Sequence, residues 1–136
     1  MRKKEQAFTL LEIMLVVTII ALLLAAAIKF MAPNVDIAKH VRVVGDIQGI
    51  KTSLMAYQGI NGFYPTTEQG LQALVTAPST DPRPAQWRQF MEQVPTDPWG
   101  MPYFYRCPGQ KDPTRFDLYS AGPDRTPDNA DDDWGK

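Results

Sequence analysis

Cysteine is almost missing from this chain. Cys107 is the only one in 136 residues, which excludes an intramolecular disulfide. An oxidising compartment is neither demanded nor excluded, and a small domain there has to be stabilised by packing or by a metal. Histidine also occurs once, at His40. With one His and one Cys there is no nucleophile-plus-base constellation of the kind hydrolases and transferases need. A basic excess is lacking too. Lys and Arg total 14 against 15 Asp and Glu, a formal charge of -1, and no cationic cluster suggests phosphate tracking, so nucleic acid is not an expected partner. Proline is absent up to Met31, and all 12 fall later, which marks the second half as rich in loops.

What the chain does have is one long hydrophobic run. From Ile13 to Ile28 every residue is apolar except Thr18. Counted from Phe8, the stretch is about twenty residues, enough to cross a hydrocarbon core of ~30 Å. Arg2, Lys3 and Lys4 precede it, so the positive-inside bias keeps the first residues cytoplasmic and sends Pro33 onward across. Two readings compete. One is a secretory signal cut after Ala25-Ala26-Ala27; the other is a retained span. Glu12 decides for the second, because a carboxylate in such a core costs on the order of 2.5 to 3.5 kcal/mol at mid-bilayer, less near an interface. A charge kept at that cost needs a partner.

The run Ala7-Phe8-Thr9-Leu10-Leu11-Glu12-Ile13-Met14 resembles the class III leader of type IV pilins and pseudopilins. The resemblance implies cleavage between Ala7 and Phe8 by a prepilin peptidase, then N-methylation of Phe8. It also implies a partner for Glu12: the amino-terminal ammonium of Phe8 in a neighbouring subunit during filament assembly. The family usually carries Gly where this chain has Ala7. The expected organisation is a leader at 1–7, a transmembrane and polymerisation helix at 8–32, and a periplasmic head at 33–136.

Lys29 can snorkel to headgroups while Phe30 and Met31 stay in the interface. Pro33 either kinks the helix or ends it. Beyond it, Ile37, Val41, Val44, Ile47, Ile50, Leu54 and Tyr57 recur at spacings of three and four, which predicts an amphipathic helix over 34–58. If continuous with the span it extends for roughly 75 Å, far beyond a bilayer. Gly45 and Gly49 lie one turn apart in it. They read either as a small-residue strip for close packing, on the head's own sheet or on a neighbouring subunit, or as neutral drift. His40 falls on the polar side and reads as a solvated surface residue. The helix is expected to stop near Gly59, with Asn61-Gly62 accepting positive φ.

Next, Tyr64-Pro65-Thr66-Thr67-Glu68-Gln69-Gly70-Leu71-Gln72-Ala73-Leu74 combines an extended X-Pro step with a Thr66-x-x-Gln69 capping box and a short helix. Tyr64 and Leu71 or Leu74 are expected to pack on the long helix. Residues 76–84 read as loop, and Trp87, Phe90 and Met91 as apolar anchors. Asp97-Pro98-Trp99-Gly100 reads as a turn, followed by two short strands over 102–106 and 116–120. Both the 64–74 segment and the Asp-Pro-Trp-Gly element resemble the major pseudopilin of type II secretion systems. The fold class expected is α+β, type IV pilin-like: a long N-terminal α-helix, half membrane and half amphipathic, packed on a small antiparallel sheet.

Five of the acids, Asp124, Asp128, Asp131, Asp132 and Asp133, crowd the last thirteen positions. Such a loop is either a solvated acidic tail or a cation site. Oxygen donors without His or Cys favour Ca²⁺ over transition metals, and a flexible Gly/Pro loop suits Ca²⁺ better than Mg²⁺. The 1, 3, 5 spacing of Asp124, Thr126 and Asp128 is that of an EF-hand loop, whose Gly at six and Glu at twelve are missing. Ser120-Ala121-Gly122-Pro123-Asp124 with Asp131-Asp132-Asp133 is similar instead to the C-terminal calcium loop of major pseudopilins. That resemblance implies Asp124, Asp131 and Asp132 as side-chain ligands of a structural Ca²⁺, with the backbone carbonyls of Ala121 and Thr126 completing the shell.

The expected function is that of a major pseudopilin, without catalytic residues, which polymerises into the periplasmic pseudopilus and drives folded proteins across the outer membrane. The partners this implies are further copies in a helical filament, minor pseudopilins, the prepilin peptidase, the inner-membrane assembly platform with its ATPase, secreted proteins and membrane lipid. Two alternatives are weighed. A type IV pilin or minor pseudopilin is one, but a pilin normally ends in a disulfide-bounded loop. The other is a membrane-anchored metal-dependent hydrolase, against which the lone His40 and Cys107 stand.

Overall fold

A computed structural model describes residues 9–136, apart from the side chains of Ala32 and Pro33. The Ala7/Phe8 junction and the amine of Phe8 therefore lie outside the described residues. The chain separates into two compact units, the first ending at Ile37 and the second spanning Ala38–Lys136. The order of elements is α1 (Leu10–Asn61), a 3₁₀ helix (Leu71–Leu74), β1 (Phe104–Arg106) and β2 (Asp117–Tyr119).

In the first unit, α1 forms because the strong helix formers Leu, Met and Ala outnumber the β-branched residues from Leu10 to Met31 and no Gly or Pro interrupts them. Its first turn is capped by Thr9, whose Oγ1 accepts the Glu12 N–H at 3.2 Å. The one hydroxyl in the apolar zone is internally satisfied, Thr18 Oγ1 donating to the Met14 carbonyl at 2.7 Å. No side chain from Leu10 to Met31 is buried within the chain, and the segment's most apolar window has a mean hydropathy of 2.8. So continuous an apolar surface requires something to cover it. The helix carries on through Pro33, so this proline does not end it.

In the second unit, Val43, Ile47, Ile50, Leu54 and Tyr57 are fully buried. They repeat at four and three residues and form one stripe of α1. Ile37 and Val41, expected on that stripe, are instead exposed at 62% and 63%. The core begins only at Val43, where the head starts to cover the helix. Leu71, Ala73 and Leu74 of the 3₁₀ helix, with Tyr103, Tyr105 and Leu118 from the strand region, close the other side of the core. Each fully buried Leu or Ile contributes about 1.5 to 3 kcal/mol. Beside the core, Tyr64 packs edge-on to Phe116 with ring centroids 5.0 Å apart.

The helix ends three residues later than expected, at Asn61, where Gly62 takes φ +84° and donates its N–H to the Gln58 carbonyl at 2.7 Å. Only glycine enters that left-handed region without strain. The capping box forms as expected. Thr66 Oγ1 accepts the Gln69 N–H and Gln69 Oε1 accepts the Thr66 N–H, both at 3.2 Å. Residues 66–70 form a turn, and the helical bonds that follow are of the 3₁₀ type. The strands are antiparallel and shorter than expected, in the register Phe104↔Tyr119, Tyr105↔Leu118, Arg106↔Asp117. Isolated bridges at Thr96↔Pro102 and Ser120↔Asp133 extend the pairing beyond them. A Cβ added at Gly45 or Gly49 would meet nothing within 4 Å. Packing of these glycines on the head's own sheet is thereby overturned.

Candidate functional site

Two places carry the residues singled out from sequence. The first is the start of α1. Glu12 is exposed and stands third in the helix, where its carboxylate faces the positive end of the helix dipole. Thr9-x-x-Glu12 is itself a capping-box sequence. That signal, read correctly at Thr66-x-x-Gln69, was equally legible here. Among the described residues the Glu12 side chain has neither an ion-pair partner nor a hydrogen-bond partner.

The second place is the acidic loop, whose two ends the fold pins together. Ser120 and Asp133 exchange both backbone hydrogen bonds at 2.9 Å, closing residues 121–132 into a loop. Beneath the bridge lies Asp97 of the Asp-Pro-Trp-Gly turn, only 2% exposed. Its Oδ1 accepts the N–H groups of Trp99 and Met101 at 3.0 and 2.7 Å. Its Oδ2 accepts the Ser120 hydroxyl at 2.6 Å. Trp134 caps the bridge from the other side, stacked on Tyr119 with centroids 4.5 Å apart, and Lys111 Nζ sits 3.3 Å from its ring centroid. Gly122, at φ +70°, sits so tightly on the Asp131 carbonyl that a Cβ there would collide with it.

His40 is not merely solvated. Its Nδ1 lies 2.7 Å from Asp133 Oδ2, joining α1 to the end of the loop. Asp133 Oδ1 accepts the Gly135 N–H at 3.0 Å. Both oxygens of Asp133 are thus engaged outside the loop.

Inside the loop, the implied calcium ligands are only partly brought together. Asp124 Oδ2 and the Thr126 carbonyl both converge on the amide nitrogen of Asn129, at 2.6 and 2.9 Å. That weakly positive NH₂ group occupies a point where two of the implied oxygen donors meet. Asp132 Oδ2 accepts the N–H groups of Asp128 and Asn129 at 3.0 and 3.2 Å, while its Oδ1 is buried and has no hydrogen-bond partner. Asp131 remains exposed, and its N–H donates to Asn129 Oδ1 at 2.8 Å. Ala121 is fully buried at the base. Among the described residues no group of three His, Cys, Asp or Glu side chains is placed to hold a metal ion. A hard cation here would draw on carboxylates plus backbone carbonyls, the donor set that suits Ca²⁺. The orphaned Asp132 oxygen is the atom such an ion would satisfy.

Asp128, weighed only for an EF-hand pattern that the loop does not follow, is held by Arg106. Arg106 Nη1 and Nη2 donate to Asp128 Oδ1 and Oδ2 at 3.0 and 2.7 Å, and the Tyr119 hydroxyl adds a bond to Oδ1 at 3.0 Å. The hydrogen bond from Arg106, and then that from Tyr119, holds the Asp128 carboxyl below the usual carboxylate range. Burial, then the bond to Asp128, pushes the Tyr119 hydroxyl up to about 12. Along the same strand region, Tyr103 donates to Asp46 Oδ2 at 2.8 Å and its hydroxyl is raised, chiefly by burial.

An unburied apolar helix with one carboxylate in its first turn, unpartnered among the described residues, and a helix-on-two-strand unit closed by a pinned acidic loop, define a type IV pilin-like subunit. Comparison with known proteins narrows the class. Residues 31–134 match the family "Type II secretion system (T2SS), protein G", and residues 2–28 match the "Prokaryotic N-terminal methylation motif". The type II secretion system core protein G of Pseudomonas aeruginosa is 42% identical over 134 residues, covering 97% of this chain and 93% of the relative. That of Vibrio cholerae is 39% identical over 124 residues, covering 90% and 83%. The crystal structure of the major pseudopilin from the type 2 secretion system of enterohaemorrhagic Escherichia coli superposes with a TM-score of 0.69. It is 40% identical, and the match covers 74% of this chain and 85% of that one. The chain belongs to the type II secretion system protein G family.

Proposed function

We propose that this chain is the major pseudopilin subunit of a type II secretion system. It is made as an inner-membrane precursor with a cytoplasmic N-terminus and a periplasmic head, and a prepilin peptidase cuts it between Ala7 and Phe8 and methylates Phe8. Copies then leave the bilayer and stack into a helical pseudopilus, which grows from the inner-membrane platform and its ATPase, carries minor pseudopilins, and pushes secreted proteins outward. The observation that carries this reading is the wholly unburied apolar surface from Leu10 to Met31 with one carboxylate, Glu12, in its first turn. Lipid covers that surface before assembly and neighbouring helices cover it afterwards. In both settings a lone carboxylate is costly, and the Phe8 ammonium of an adjacent copy offsets the cost.

Glu12→Ala is expected to abolish filaments while leaving membrane insertion intact, read by shearing and immunoblotting beside membrane fractionation. Normal filaments from that variant would sink the pairing. Mass spectrometry of the mature amino terminus reads the processing step directly, the expected species being methylated Phe8.

The acidic loop serves the head. In this reading Asp124, Asp131 and Asp132, with the carbonyls of Ala121 and Thr126, hold a structural Ca²⁺. The bound ion supplies neutralisation of the clustered carboxylates, and its binding energy adds to the folding of a head without a disulfide. Asp133 instead ties the end of the loop to α1 and to Gly135, through His40 Nδ1 and the Gly135 N–H.

A further inference from the structure

We propose that Arg106 is a positioning residue for the acidic loop: its two-bond clamp on Asp128 sets the Asp132 carboxylate in place before a cation arrives. The inference rests on the calcium reading above and concerns residues outside that ligand set. Arg106 ends β1, so the paired strands fix its backbone, and its guanidinium reaches Asp128 through two parallel bonds at 3.0 and 2.7 Å. This fork geometry constrains direction as well as charge. A third bond orients the guanidinium, Nη1 also donating to Gln110 Oε1 at 3.0 Å. On the carboxylate side, the Tyr119 hydroxyl from β2 binds the same Asp128 oxygen at 3.0 Å. Both strands of the sheet therefore grip one side chain of the loop.

The grip has work to do at the backbone. Asp128 takes φ +69°, a left-handed conformation that costs energy in any non-glycine residue, though less in Asp than in most, and that the clamp helps to hold. In that conformation its N–H points at Asp132 Oδ2, 3.0 Å away, with the Asn129 N–H beside it at 3.2 Å. One oxygen of Asp132 is thereby fixed, leaving the other, Oδ1, buried and unpartnered. The order of causes runs from sheet to Arg106, to the Asp128 backbone, to Asp132. Removing the fork frees Asp128 to leave the left-handed region, and Asp132 loses its two donors. The loop must then be ordered by the ion itself, which weakens binding without removing a ligand.

The test is calcium titration calorimetry on the full chain in detergent micelles, with Arg106→Gln, Arg106→Lys and Asp128→Asn beside the wild type. Loss of an orienting partner of this kind lowers metal affinity about 10- to 100-fold, the effect expected of Arg106→Gln and Asp128→Asn. Arg106→Lys keeps the charge but not the fork and is expected to recover only part of the loss. Amide exchange of Asp128 and Asn129 in calcium-free buffer supplies a second readout, expected to quicken in Arg106→Gln while core amides of α1 stay protected. Wild-type affinity in both Arg106→Gln and Asp128→Asn, with calcium still binding, overturns the clamp alone. A wild-type chain that takes up no calcium overturns the metal reading and this inference with it.

Discussion

Replacing Asp97 with alanine removes the acceptor on which the closure of the acidic loop rests. Three donors end on this carboxylate: the N–H groups of Trp99 and Met101 and the hydroxyl of Ser120. The two amides belong to half-buried residues, so water meets part of their need and each costs about 1 kcal/mol when orphaned. Ser120 is fully buried, and its hydroxyl costs about 2 kcal/mol. Relief from no longer burying a charge offsets part of that total. Asp97→Ala therefore comes to about 3 kcal/mol, and for a head of roughly a hundred residues 1 kcal/mol moves Tm by about 4 to 8 °C. The expected fall is about 12 to 24 °C. Asp97→Asn keeps the Oδ1 acceptor for both amides and disturbs only the bond to Ser120, so its cost is about half as large. Near-UV circular dichroism of the full chain in micelles follows the transition, because Trp87, Trp99 and Trp134 all lie in the second unit. A fall below about 4 °C for Asp97→Ala, or equal falls for the two variants, would show that acceptor geometry at this turn is not what holds the loop.

Other perturbations probe the same head. Gly122→Ala places a Cβ against the Asp131 carbonyl at φ +70°; it is expected to destabilise by at least about 2 kcal/mol, read in the same melt, and a neutral result would contradict the described loop path. EDTA is expected to lower the wild-type Tm and excess calcium to restore it, whereas an unchanged melt would return the loop to a solvated acidic tail. On the acid side, Asp128 has its folded pKa depressed, by Arg106 first and Tyr119 second. Its contribution is complete above the unfolded value of about 3.9 and is lost as pH falls through the lower folded value. Asp128→Asn should therefore lower stability near neutrality and flatten its loss below about pH 4, as measured by denaturant melts across that range; parallel curves for variant and wild type would exclude the linkage.

Most of the fold was legible because it is local. The apolar run, the three-and-four spacing that buries Ile47, Ile50, Leu54 and Tyr57, the reciprocal bonds of Thr66 and Gln69 and the two strands follow from neighbours in sequence. Periodicity identifies a stripe but not where the head begins to cover it, so Ile37 and Val41 look like core and are exposed, while Val43 was missed. The half of the glycine reading that put the strip on the head's own sheet failed for a similar reason: its spacing marks a smooth face without saying what approaches it. The candidate site was legible as a composition and a resemblance. Its wiring was not, since His40 meets Asp133 across 93 positions and Arg106 meets Asp128 across 22. Asp97 read as a turn residue because nothing in Asp-Pro-Trp-Gly announces that its second oxygen reaches Ser120, 23 positions on.

The bridge between Ser120 and Asp133 also bears on how freely the chain can vary. Once two backbone bonds and the Trp134 stack have joined the ends, the strands sense the loop only at those ends and through the hold of Arg106 and Tyr119 on Asp128. Closing a flexible loop becomes harder only logarithmically with its length, about 0.6 kcal/mol for each doubling. The exposed stretch 123–126 is therefore a place where insertions leave the sheet intact. What they would change is the set of oxygen donors the loop presents, so the architecture lets that set diverge independently of the scaffold.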